Sequence, residues 1–109
     1  MSDSLNNQEL EKIDHVAIVV DNIAVSAKWY QSQFSCQIEY IDETWALLKF
    51  ANICLALVLK IQHPGHICFI KENAAQYGSL TTHRDDTKSV YLSDPSGNTV
   101  EIMDKSQYT

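Results

Sequence analysis

At 109 residues, with 45% hydrophobic and 20% charged residues, the chain is long enough for one domain with one modest core. A net charge of −6, with the basic residues scattered, argues against nucleic acid or an anionic membrane as partner, since both reward clustered Lys and Arg. The longest apolar run, Ile53 to Leu59, suits a strand and is too short to span a bilayer.

Residues 1–12 form a polar lead without the layout of a signal peptide, so the expected location is the cytoplasm. Ile13 to Val20 reads as a first strand, apolar on both faces and therefore expected to be covered on both sides. Asp21 or Asn22 can cap a helix from Ile23, whose apolar stripe is Ile23, Ala27, Tyr30 and Phe34. Three strands follow, over Gln37 to Ile41, Thr44 to Phe50 and Ile53 to Leu59, with Asp42-Glu43 and Ala51-Asn52 as turns. His63-Pro64-Gly65 breaks the chain. His66 to Ile70 is the next strand, Lys71 to Tyr77 makes a short helix ended by Gly78, and Ser79 to His83 is a short strand. Lys88 to Ser93 and Asn98 to Met103 are strands joined by the strong turn signal Asp94-Pro95-Ser96-Gly97. Residues 104–109 are a tail.

One phrase occurs twice. Ile13-Asp14-His15-Val16-Ala17-Ile18 returns as Pro64-Gly65-His66-Ile67-Cys68-Phe69, a histidine in a strand-like run each time. The chain therefore reads as one unit used twice, β-α-β-β-β over 13–59 and again over 66–103, in a single α+β domain spanning 13–103. Cys36, Cys54 and Cys68 are odd in number and form no CxxC pair. They read as thiols of a reducing compartment, not as a disulfide frame or zinc ribbon.

Strand parity gathers the chemistry. If Val100 and Ile102 pack under a helix, Glu101 faces away from it, and the same parity turns His15 and His66 away from their helices. In paired units those faces line one cleft. Two imidazoles and a carboxylate then form a facial set for a divalent ion, with Fe, Mn, Zn, Ni and Co all compatible. Matching the units puts Ala56 opposite Glu101, so the first unit supplies no fourth ligand.

Ile13-Asp14-His15-Val16-Ala17, the helix with Trp29-Tyr30, Gly65-His66-Ile67, and the run from Ser89 to Glu101 through Asp94-Pro95-Ser96-Gly97 carry a resemblance that covers Ile13 to Met103. The sequence resembles the vicinal oxygen chelate superfamily, which includes glyoxalase I, bleomycin-resistance proteins, fosfomycin-resistance enzymes, methylmalonyl-CoA epimerase and extradiol dioxygenases. The resemblance implies two βαβββ units in a half-open eight-stranded barrel, with His15, His66 and Glu101 as metal ligands. Glyoxalase I and the epimerase usually carry a fourth ligand where this chain has Ala56. The stretch Thr81-Thr82-His83 through Tyr91 to Glu101 is also similar to the extradiol dioxygenase signature, which places His83 and Tyr91 beside the bound substrate as catalytic groups.

The expected activity is that of a metal-dependent enzyme on a small oxygenated substrate: lyase or isomerase chemistry at an α-hydroxy carbonyl, catechol cleavage, or addition to an epoxide. The alternatives are a bleomycin-resistance-like binding protein without catalysis, and a regulatory subunit with a vestigial site. A homodimer is expected, to cover sheet edges and apolar surface. Trp29, off the helix stripe, suits such a contact, and Trp45 reads as core or interface. Cys68 shares the face of His66, Arg84 and Lys88 read as solvated charges, and His63 reads as an exposed linker residue.

Overall fold

The computed structural model describes residues 10–83 and 86–105. Its elements are β1 (Lys12–Val20), α1 (Ile23–Gln33), β2 (Gln37–Ile41), β3 (Trp45–Lys49), β4 (Cys54–Leu59), β5 (His66–Lys71), a one-turn 3₁₀ helix (Ala74–Tyr77), β6 (Thr81–Thr82), β7 (Lys88–Ser93) and β8 (Thr99–Asp104). The strands form one mixed, unclosed sheet in the order β2-β3-β4-β1-β5-β8-β7-β6. The order reads the same from either edge once β5 to β8 are matched to β1 to β4. That is the doubled unit of the sequence, joined at the antiparallel β1–β5 seam. Residues 1–9 and 106–109, most of the expected lead and tail, lie outside the described residues, as does Arg84.

Local chemistry sets the elements. The Asn22 side chain accepts a 2.9 Å bond from the Val25 amide and caps α1, which resolves the choice between Asp21 and Asn22. Phe34 then returns to extended backbone and ends the helix. Between β7 and β8, Asp94 accepts bonds from the amides of Ser96 and Asn98, and Gly97 takes a left-handed φ of 87°. In the second unit only the 3₁₀ turn forms, because Lys71 is still strand and Gly78 closes the segment.

One face of the first unit packs under α1. Ile23 and Ala27 meet Ala46, Leu48 and Leu57, with Ile18, Val20, Leu55 and Leu59 around them. The opposite face carries Ala17, Ala56 and Val58, flanked by Trp45 and Leu47. The expectation that β1 is covered on both sides holds only in part: α1 covers Ile18 and Val20, whereas Val19 is 44% exposed on the cleft side. Leu57 is fully buried at the centre of the α1 layer. Leu57→Ala is expected to cost about 2–5 kcal/mol, read as a lower midpoint in urea unfolding at unchanged slope.

Candidate functional site

The seam positions the two histidines. Across β1 and β5, His15 faces Cys68 and Ala17 faces His66, so both imidazoles lie on the sheet face away from α1. β8 runs parallel to β5 with Glu101 beside Cys68, and β4 runs parallel to β1 with Ala56 beside Ala17. Superposing His15 on His66 through these registers puts Ala56 on Glu101. The first unit therefore supplies an apolar methyl where the second supplies a carboxylate.

His15 Nε2 and His66 Nε2 are 3.2 Å apart, and Glu101 Oε1 lies 3.4 Å from the first and 3.0 Å from the second. All three residues are buried. Each imidazole is oriented from behind. Asp14 Oδ2 lies 2.8 Å from His15 Nδ1, and the Pro64 carbonyl oxygen lies 3.0 Å from His66 Nδ1. A carboxylate and a carbonyl only accept, so both Nδ1 atoms carry hydrogen, and a ring in its neutral form turns a bare Nε2 lone pair toward Glu101. Three lone-pair donors converging on one point require a cation or a shared proton. Ligand atoms bonded at about 2.1 Å stand about 3.0 Å apart in a facial octahedral set and about 3.4 Å apart in a tetrahedral one. The separations here fall within that span, so the donor set fits a divalent ion.

The protonation balance carries the same signature. Burial opposes a charged His15, but bonds from Asp14, Cys68 and Glu101 outweigh it and push the imidazole up to about 11. Burial likewise opposes the Glu101 anion, yet the two histidines and Ser89 hold it well below the usual carboxylate range. A second group, Asp14, His15 and Cys68, also lies close enough to share an ion. It competes for the same imidazole, and burial pushes the Cys68 thiol up to about 11.

A polar flank runs from Glu101 toward solvent. The Tyr91 hydroxyl donates to Glu101 Oε2 at 3.2 Å, and His83 Nε2 lies 3.4 Å from the same oxygen and 2.5 Å from Ser89 Oγ. His83 and Tyr91 thus meet at Glu101 Oε2. Burial and the adjacent Glu101 charge raise the Tyr91 hydroxyl. The reading of His63 as an exposed linker residue is corrected. Its ring is partly buried, with its centroid 4.9 Å from that of His66, and its Nε2 lies 3.2 Å from the Tyr91 hydroxyl. The turn at Pro64 folds the linker back over β7, and burial lowers the imidazole below its ordinary value, helped by His66. Two shallow depressions, of about 680 and 390 Å³, meet at His63 and Pro64, and Tyr91 and Thr99 wall the smaller.

Strict alternation also misplaces two residues of β1. It groups Ile13 with His15, but the register slips by one between Ile13 and His15, leaving Asp14 as an extra residue. The bulge moves Ile13 to the face of Phe69 and brings Asp14 onto His15. Ser89, fully buried beside His83, is a further member of the site not singled out from sequence.

No family model and no curated protein matches the sequence. Solved structures do. A glyoxalase/bleomycin resistance protein/dioxygenase superfamily member from Vibrio splendidus 12B01 aligns over 87% of this chain and 99% of its own, at 12% identity and a TM-score of 0.65. This chain has the glyoxalase/bleomycin resistance protein/dioxygenase fold. Methylmalonyl-CoA epimerase from Mycobacterium tuberculosis shares that fold over 93% of both chains, at 16% identity and a TM-score of 0.62. A hypothetical protein from Bacillus halodurans C-125 shares it over 89% of this chain and 96% of its own, at 13% identity and a TM-score of 0.68. Among the described residues no helix is long and apolar enough to cross a membrane.

The shifts of Glu101 and His15 fix a pH dependence for the metal-free protein. A depressed Glu101 contributes stability that is present above its ordinary value of 4.5 and lost as pH falls below it. A raised His15 contributes stability that is complete below 6.5 and lost as pH rises toward about 11. In excess chelator the melting temperature is expected to be highest between those two ordinary values and to fall steadily from pH 7 to pH 9. His15→Gln is expected to flatten the alkaline arm.

Proposed function

We propose that this chain is a metal-dependent enzyme that binds a small oxygenated substrate through two adjacent oxygens on a divalent ion held by His15, His66 and Glu101. The observation that carries the reading is the convergence of two Nε2 atoms and one carboxylate oxygen within 3.0–3.4 Å of one another on a buried sheet face. The ion would supply Lewis-acid polarisation of a bound oxygen. The remaining work falls to side chains of the polar flank. Tyr91 and His83, both reaching Glu101 Oε2, are placed to hydrogen-bond a substrate oxygen beside the ligand set and to hold or move its proton. His63 backs Tyr91 from the solvent side.

The opposite flank of the cleft is apolar, with Ala17, Ala56 and Val58 beside Leu47 and Trp45, and Tyr40 stacked on Trp45 at 4.7 Å. That surface supports the second reading, a binding protein that sequesters an apolar ligand without catalysis. The polar flank favours the enzyme, because sequestration needs no hydroxyl and imidazole groups beside a ligand triad. In either case a second copy of the chain would cover apolar surface such as Trp29 and Phe34, each 52% exposed. The unpaired thiols of Cys36, Cys54 and Cys68 suit the cytoplasm.

Elemental analysis after purification without added metal is expected to give about one divalent ion per chain. His66→Ala and Glu101→Ala are each expected to lose it while retaining the far-ultraviolet circular dichroism of the parent. Metal-free wild-type protein that takes up no Zn(II), Mn(II), Co(II), Ni(II) or Fe(II) on titration would overturn the enzyme reading and leave the binding protein. For the missing fourth ligand, Ala56→Glu is expected to tighten divalent binding and to destabilise the chelator-treated protein. The cause is an added buried carboxylate beside Ala17, and paired metal and thermal titrations read both effects.

A further inference from the structure

The bulge in β1 breaks the strand ladder directly beside His15. It removes one residue from the ladder at the central seam of the sheet, where regular pairing would otherwise run unbroken from Lys12 to Ala17. Bulges beside functional sites re-aim a side chain, and this one turns Asp14 onto the face of its neighbour. Asp14 is partly buried, and its Oδ2 lies 2.8 Å from His15 Nδ1. The matching residue of the second unit is Gly65, which has no side chain to offer. A Cβ there would lie 3.0 Å from the Ala17 carbonyl oxygen, a tight contact that the close approach of the linker to β1 disfavours. His66 is held instead by the neutral carbonyl of Pro64. The two histidines therefore differ in what stands behind them, a full negative charge for His15 and a backbone dipole for His66.

We propose that Asp14 is a positioning residue of the metal centre: it fixes His15 with Nε2 toward the ion, strengthens it as a donor, and makes it the stronger of the two imidazole ligands. The inference rests on the reading that His15, His66 and Glu101 hold a divalent ion. A carboxylate behind a ligating imidazole fixes its tautomer and raises its basicity. Asp14 also completes a charge balance. With Glu101 it brings two negative charges to the site, matching one divalent cation.

Co(II) titration of chelator-stripped protein tests this, with proton NMR of the cobalt-loaded form. Wild-type protein is expected to show two solvent-exchangeable, paramagnetically shifted ring N–H signals, one from each ligating histidine. Asp14→Asn removes the charge and Asp14→Ala removes the acceptor. Losses of roughly 10-fold and up to about 100-fold in Co(II) affinity are expected. The His15 N–H signal should shift or vanish into fast exchange while the His66 signal stays in place, a selectivity that general loosening of the fold would not give. Both variants binding Co(II) within about twofold of wild type, with both signals unchanged, would overturn the role of Asp14 alone. Wild-type protein that binds no Co(II) would overturn the metal reading and this inference with it. Where the variants do not fold, nitrogen-15 spectra of zinc-loaded wild-type protein decide. A His15 ring protonated at Nδ1 supports the assignment, and one protonated at Nε2 refutes it.

Discussion

Across the β1–β5 seam, His15 faces Cys68 and Ala17 faces His66, and this antiparallel register carries both imidazoles to one face of the sheet. A one-residue slip would turn one of them into the layer under α1 or its counterpart. Register is strongly specified here because both faces carry buried groups. Ile18 packs toward α1 on one side, and Ala17 and Cys68 are buried on the other. The parallel pairings of β4 with β1 and β8 with β5 then fix what stands beside each histidine. The geometry of the His15–His66–Glu101 cluster is thus a consequence of strand register, with no loop closure required.

The set is costly without a cation. Two imidazole lone pairs and a carboxylate buried together are compatible only if a proton or an ion sits among them. The opposed shifts of His15 and Glu101 fit this: against the effect of burial, His15 is displaced toward its charged form by Asp14, Cys68 and Glu101, and Glu101 by His15, His66 and Ser89. A divalent ion held by the same three groups would resolve the same conflict. Around it the cleft divides. The first unit contributes apolar and aromatic groups, and the second contributes Tyr91, His83 and Ser89. The fold is doubled and the chemistry is not.

Most of this frame is legible in the chain because it depends on period-2 patterns and strong turns. The doubled phrase locates β1 and β5, the Asp94–Gly97 turn locates β7 and β8, and parity alone assembles His15, His66 and Glu101 on one face. What alternation cannot carry is a break in alternation. Nothing in Ile13-Asp14-His15 distinguishes a regular strand from a bulged one, so strict alternation would put Ile13 on the face of His15 and leave Asp14 away from it. His63 escapes for a related reason. Its position depends on how the chain turns at Pro64, a property of the linker backbone, and a histidine before a proline carries no sign of the tyrosine it will meet.

The central claim is that an ion sits among His15, His66 and Glu101 and not among Asp14, His15 and Cys68, whose ligand atoms also lie within 4.8 Å of one another. X-ray absorption at the zinc edge of zinc-loaded protein separates these directly. The account predicts a shell of nitrogen and oxygen at about 2.0–2.2 Å, outer scattering from two imidazole rings, and no sulfur. A sulfur shell at about 2.3 Å with a single imidazole would contradict it.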